Sequence, residues 1–285
     1  MADLKAVNIP EQVIIPEQVI SEFDKLPPVS PAAPDFVRRV TGEIIAGRGD
    51  RTPVSLFPAD GTFPLGTAAW EKRNLALKIP VWEPDLCTQC GKCVFVCPHS
   101  VIRSKVFPAV QLGEAPETFK YAPARGKSFE EELHFSYQVV PEDCTGGGLC
   151  VDACPIRDRN KSERKALNMA IQAPLREQER KNWAFFLELP DYDRSKVKES
   201  ALPSAMLLQS LFEFSGACEG CGETPYLRLA SHLFGDHMMA ANANANANAN
   251  ANANANANAT RCSSIYGGNL PTTPWAKNRD GGGPA

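Results

Sequence analysis

Hydrophobic and polar positions divide this chain into short elements separated by long irregular stretches. Residues 79–82 (IPVW) and 135–140 (FSYQVV) are rich in branched and aromatic side chains and read as strands. Each stands just ahead of a cysteine-rich run, and short helices are predicted over 93–97 and 150–154. Residues 174–189 read as an amphipathic helix, with Trp183, Phe185, Phe186 and Leu187 apolar and the charges of REQERK on a solvated face. Residues 204–214 look helical. Tyr226, Leu229, Ala230 and Leu233 form an i, i+3, i+4, i+7 stripe behind Thr224 and Pro225, which read as cap and first turn.

Other stretches lack such patterning. Residues 1–35 look irregular, with IPEQVI occurring twice in tandem and a proline-rich extended linker at 27–34. Residues 36–80 carry turn signals such as GRGD, PADG and PLG. Nine Ala-Asn pairs fill 241–258. Both residue types are poor strand formers, and the tract has no large apolar side chain to offset its ordering entropy, so it reads as lacking order or as artefactual. A sticky Asn-rich tract is the minor alternative.

The cysteines add chemistry to this outline. CTQCGKCVFVCP places Cys87, Cys90, Cys93 and Cys97 in the C-x2-C-x2-C-x3-C-P spacing that holds [4Fe–4S] clusters in bacterial ferredoxins. The fourth cysteine of such a run ligates the other cluster, so one run predicts a second. Adding 57 to each position gives Cys144, Gly147, Cys150, Cys154 and Pro155. Cluster A then takes Cys87, Cys90, Cys93 and Cys154. Cluster B takes Cys97, Cys144 and Cys150, with Gly147 where a fourth ligand belongs. That site is expected to hold a three-iron cluster, or a four-iron cluster with an outside ligand, or nothing. Asp143 and Asp152 are nearby oxygen donors, although solvated surface is their ordinary reading. Zinc suits two C-x2-C pairs rather than seven cysteines in two registered runs, and disulfide frameworks suit small secreted domains. Cys218-x2-Cys221, taken alone, fits a zinc knuckle, a redox pair, two buried thiols or a cluster.

Composition narrows the class. The 285 residues are 43% hydrophobic and 22% charged, in keeping with about two soluble domains. A net charge of −3 gives no support for nucleic-acid binding, and no apolar run is long enough for a membrane helix. Ten cysteines without a secretory signal point to a reducing cytoplasm.

Several long stretches carry a family resemblance: GTFPLGTAAWEKRN, CTQCGKCVFVCPHSVIR, PEDCTGGGLCVDACP, QAPLREQERKNWAFF, LFEFSGACEGCGETPYLRL and CSSIYGGNLPTTPWAKN. Together they resemble an internal part of pyruvate:ferredoxin (flavodoxin) oxidoreductase. That family decarboxylates pyruvate oxidatively on thiamine diphosphate, joins the acetyl group to coenzyme A, and passes electrons through three [4Fe–4S] clusters to ferredoxin or flavodoxin. The resemblance implies an α+β chain. Residues 1–80 would be an irregular segment wrapping the body, and 81–172 a ferredoxin-like two-cluster domain built as a βαβ repeat. A helical linker at 173–202 would precede a truncated α/β thiamine diphosphate-binding domain at 203–285, interrupted by the insert at 241–258.

By the same resemblance Cys218, Cys221 and Cys262 match ligands of the cluster nearest the thiamine, and Glu223 and Cys262 face that cofactor. Arg261 and the Ala-Asn tract depart from the family's ANATGCSS, and arginine in place of glycine should crowd the backbone there. Thiamine diphosphate and Mg2+ are expected only in a longer enzyme, with the rest of the oxidoreductase and its dimer mate as partners. The chain alone is expected to hold no complete catalytic set. A free-standing ferredoxin-like carrier and a non-functional truncated copy are the alternatives.

Overall fold

The computed structural model describes residues 27–60, 63–126, 129, 132–161, 163–235, 237–242, 255–258, 271–278, 280–281 and 283–284. Cys262, Arg261, both IPEQVI copies and the middle of the Ala-Asn tract lie outside them.

The centre of the molecule is a strand–helix–strand unit used twice. Strand β1 (Lys78–Trp82), helix α2 (Lys92–Val96) and strand β2 (Ile102–Pro108) form the first copy; helix α1 (Gly42–Ile45) precedes them. Strand β3 (Ala122–Pro123) lies between the copies. Strand β4 (Leu133–Val139), helix α3 (Leu149–Asp152) and strand β5 (Leu167–Ile171) form the second. The copies interlock: β1 pairs antiparallel with β5, from Lys78↔Ile171 to Trp82↔Leu167, and β2 pairs antiparallel with β4, from Ile102↔Val139 to Pro108↔Leu133. Each sheet therefore takes one strand from each half, which brings the two cysteine runs together.

Burial explains the strands. Ile79, Trp82, Ile102, Val106, Phe135, Tyr137 and Leu167 interdigitate with Val94 of α2, and five of the cysteines are buried in the same core. The long β2–β4 hairpin and β3 make a three-stranded sheet on which helix α4 (Arg176–Glu188) packs. Phe107 and Phe119 meet Phe185, Phe186 and Leu189 there in a second core. This accounts for the length of the segment between the cysteine runs. Leu187, expected on the apolar face, is half exposed instead.

Three other expectations need correction. The helix expected at 204–214 shrinks to α5 (Leu202–Ala205). Beyond it Met206, Leu207, Leu211, Phe212 and Phe214 are buried together with Ser210 and Glu213, and the backbone instead pairs with a distant segment. Phe212 bridges Trp275, Glu213 N donates to Pro274 O, and Ala276 N donates to Leu211 O. Tertiary pairing here outweighs local propensity.

Helix α6 (Thr224–Phe234) exists, but its inward face is one position away from the apolar stripe. Thr224, Arg228, Ser231 and His232 are buried while Tyr226 is 70% exposed, because the helix docks through polar side chains. Thr224 is the first helical residue rather than the cap, and its hydroxyl has no partner. The ends of the region read as lacking order form strands: β6 (Met239–Asn242) pairs parallel with β7 (Ala255–Asn258). Backbone hydrogen bonding needs no large side chains, so strict alternation of small residues is compatible with it.

The described residues upstream of β1 lie against the body, and among them there is no strand. Gly66 N donates to Trp275 O and Asn74 N to Glu142 O. Lys72 pairs with Asp143 at 2.5 Å, and Arg73 reaches Ser215 O.

Candidate metal centre

The two cysteine runs share a backbone shape. Gln89 and Gly146, 57 residues apart, both take positive φ, as do Gly91 and Gly148. Such angles curl the chain so that amides point inward: Gln89 N donates to Cys87 Sγ at 3.2 Å and Gly146 N to Cys144 Sγ at 3.4 Å. Gln89 holds a conformation costly for a side-chain-bearing residue. Its amide is anchored on both sides, by Nε2 to Pro123 O and by Arg125 N to Oε1, each 2.8 Å. At Gly91 an added Cβ would sit 3.2–3.3 Å from Pro203, Leu202 and Met206, so glycine also lets α5 approach. Cys97 is extended before Pro98, as the proline requires.

The thiols fall into two groups. Cys87 lies within electrostatic reach of Cys90 and Cys154, and Cys93 of Cys87 and Cys90. Cys144 and Cys150 each lie near Cys97, and near one another. Cys93 and Cys150 are the close approach between the groups. Cys97, Cys144 and Cys150 line one cavity, with Gly147, Met169 and Gly220 on its wall. Cys97 thus lies near the thiols of the second run and Cys154 near those of the first.

Burial dominates the chemistry of these thiols. It pushes Cys87 and Cys93 up, holds Cys150 strongly protonated and raises Cys144 to about 12. Buried neutral thiols become thiolates only by exchanging protons for metal, so this donor set is primed for soft cations. All nine cysteines among the described residues are free thiols. Among those residues no three or more His, Cys, Asp or Glu side chains converge on a single-ion site. Ligands of a cubane each hold a different iron and need no common point.

Polar groups around the thiols fit an anionic cluster. The buried Trp82 indole Nε1–H lies beside Cys87, whose thiolate form it favours. Tyr137 accepts from Gly91 N at 3.1 Å and lies beside Cys93, whose thiolate form it favours. Each short helix ends on a buried cation. Lys165 Nζ donates to Val151 O of α3 at 2.5 Å. Arg228 of α6 donates to Val94 O of α2 at 2.8 Å and to Cys97 O. These cations satisfy carbonyls a helix end leaves unpaired and oppose its negative dipole. Arg228 is 1% exposed; burial lowers its pKa to about 10, with Cys97 opposing, and its Nε and Nη2 lack partners. A buried cation without a carboxylate partner suits a negatively charged neighbour.

The sequence pointed to none of Trp82, Tyr137 and Arg228 as part of this site. Nothing but the fold brings them here. Asp143 and Asp152 do not take the vacant ligand position. Asp143 is spent on Lys72, with only 3% of its side chain exposed, and burial raises its pKa to about 6 despite that partner. Asp152 is exposed and is not among the leading charges that act on Cys144 or Cys150. Cys218 and Cys221 form a turn, closed by Cys221 N to Cys218 O at 3.1 Å, and Gly220 of that turn lines the cavity of the second thiol group. Cys218 is exposed and Cys221 half-buried, and Glu223 precedes α6.

Comparison with known proteins matches residues 86–157 to the 4Fe-4S dicluster domain, which covers all seven of these cysteines. A pyruvate-flavodoxin oxidoreductase of Nostoc is 54% identical over 258 residues, 90% of this chain. The chain is similar to one segment of the pyruvate-flavodoxin oxidoreductases. It spans 20–22% of the length of the relatives from Nostoc, Rhodospirillum rubrum and Moorella thermoacetica. Relatives of that name in Rhodospirillum rubrum and of the name pyruvate:ferredoxin oxidoreductase in Moorella thermoacetica are 46% and 39% identical over 91% and 99% of this chain. Residues 22–76 match EKR, a domain of unknown function.

Proposed function

We propose that this chain is the electron-relay segment of a thiamine diphosphate-dependent pyruvate:ferredoxin or flavodoxin oxidoreductase working in the cytoplasm. Among the described residues no helix is long and apolar enough to cross a membrane. The observation that carries the proposal is the crossover of two buried thiol groups, brought within electrostatic reach through Cys93 and Cys150. Cys87, Cys90, Cys93 and Cys154 hold one [4Fe–4S] cluster; Cys97, Cys144 and Cys150 hold the second.

Iron–sulfur clusters supply one-electron carriage, and the protein's part is to set spacing and potential. The Cys218–Cys221 turn abuts the second group, so a cluster held there with Cys262 delivers electrons to Cys97, Cys144 and Cys150 first. They leave by the first group, where Cys90 and Cys154 are only half-buried. Glu223 and Cys262 face the thiamine in this scheme, and residues 203–285 are the beginning of its binding domain. Ferredoxin or flavodoxin is the acceptor.

The test is to reconstitute the 285-residue chain anaerobically, reduce it, and mix it with oxidised flavodoxin or ferredoxin in a stopped-flow instrument. The chain should reoxidise as the acceptor is reduced, and Cys154→Ser should slow this step. Filled clusters that pass no electrons to either acceptor would overturn the proposal.

A further inference from the structure

The place of the missing thiol is not empty. A Cβ built on Gly147 would lie 2.6 Å from Glu219 Cγ, 3.1 Å from its Oε1 and 3.3 Å from its Cδ, and these are its three nearest neighbours. Gly147 does not have positive φ, so its backbone would accept a cysteine; the atoms such a side chain would meet first, and have to displace, are those of the glutamate. Glu219 itself is exposed, its neighbour Gly220 lines the same cavity as Cys97, Cys144 and Cys150, and its carboxylate lies within electrostatic reach of Cys144. Resting on the cluster reading above, we propose that the Glu219 carboxylate is the fourth ligand of the second cluster, entering from the neighbouring turn through the opening that Gly147 leaves.

The chemistry balances simply. An oxygen lone pair of the ionised carboxylate is donated to the fourth iron, and nothing is oxidised or released. Carboxylate is a harder donor than thiolate, so this iron is the one held least firmly and the one an added thiol displaces first. Asp143 cannot compete while Lys72 holds it. His99 is the rival: it borders the cavity, its Nδ1 is placed on Ser215 O at 3.1 Å, and its buried Nε2 has no partner. None of the atoms nearest the missing Cβ belongs to His99.

The test reconstitutes the full 285-residue chain with iron and sulfide and reads the oxidised protein by electron paramagnetic resonance, where three-iron clusters give a signal and four-iron clusters do not. Wild type should show only a trace signal. Glu219→Ala should lose the fourth iron, its affinity falling at least ~10-fold, and show a stoichiometric three-iron signal. Gly147→Cys combined with Glu219→Ala should restore the four-iron cluster. The reduced signal of the first cluster certifies that each variant has folded, and Glu219→Gln serves if Glu219→Ala has not. A stoichiometric three-iron signal in wild type, a cluster indifferent to Glu219→Ala, or loss of the fourth iron only in His99→Gln would each overturn the proposal. A second site with no iron while the first is full would overturn the cluster reading itself, and the proposal with it.

Discussion

Arg228→Met removes a buried charge while keeping much of the side chain's length. In the native fold the guanidinium rests on the carbonyls of Val94 and Cys97, and it stays cationic at neutral pH even with its pKa lowered to about 10. For unit charges ~6–10 Å apart in an effective dielectric of ~20, the attraction of such a cation for an added electron is ~1.5–3 kcal/mol. For a one-electron couple this corresponds to ~70–120 mV. The midpoint of the second cluster should therefore move negative by that amount in Arg228→Met, while the first cluster moves much less. Arg228→Lys keeps the charge and should recover most of the shift, which separates electrostatics from the ~1–3 kcal/mol cost of leaving a buried carbonyl unpaired. The assay is a potentiometric titration followed by paramagnetic resonance. A shift below ~20 mV at the second cluster, or an equal shift at both, would refute the assignment of Arg228 to that cluster.

Three further outcomes follow from the packing and titration. Phe186→Ala empties a 1% exposed position between α4 and the three-stranded sheet and should cost ~3–5 kcal/mol in denaturant unfolding. Tyr137→Phe should move the first cluster's midpoint negative by ~20–60 mV, the equivalent of one ~0.5–1.5 kcal/mol hydrogen bond to Cys93. His232 donates Nδ1–H to Leu208 O at 2.6 Å, and burial lowers its pKa from 6.5 to about 3. The folded state thus excludes a proton that the unfolded chain accepts. This stability is complete above pH ~6.5, is lost as pH falls through about 3, and amounts to ~2–3 kcal/mol between pH ~6.5 and ~4.5. In His232→Gln the fall in urea midpoint over that range should be correspondingly smaller.

What the sequence disclosed depended on whether the deciding interactions were local. The cysteine spacing, its 57-residue repeat and the strands ahead of each run are local patterns, and strands β1 and β4 and helices α2 and α3 lie where those patterns put them. The 204–214 segment was not legible, because its backbone partner is Trp275, more than 60 residues away. Helix α6 was legible as a helix but not in its orientation. Its docking face is polar, and periodicity of apolar residues says nothing about an arginine that seats on another helix's carbonyls. Glu219 was invisible for the same reason: a lone glutamate between two cysteines has no pattern, and only the fold lays it over Gly147.

The crossed ligation is tested most directly with two single variants, Cys154→Ser and Cys97→Ser, reconstituted anaerobically and titrated potentiometrically under paramagnetic resonance. The account predicts that Cys154→Ser alters the cluster of Cys87, Cys90 and Cys93 and leaves the other in place, and that Cys97→Ser alters the cluster of Cys144 and Cys150. If instead Cys97→Ser disturbs the first cluster and Cys154→Ser the second, each run keeps its own four positions and the account is wrong.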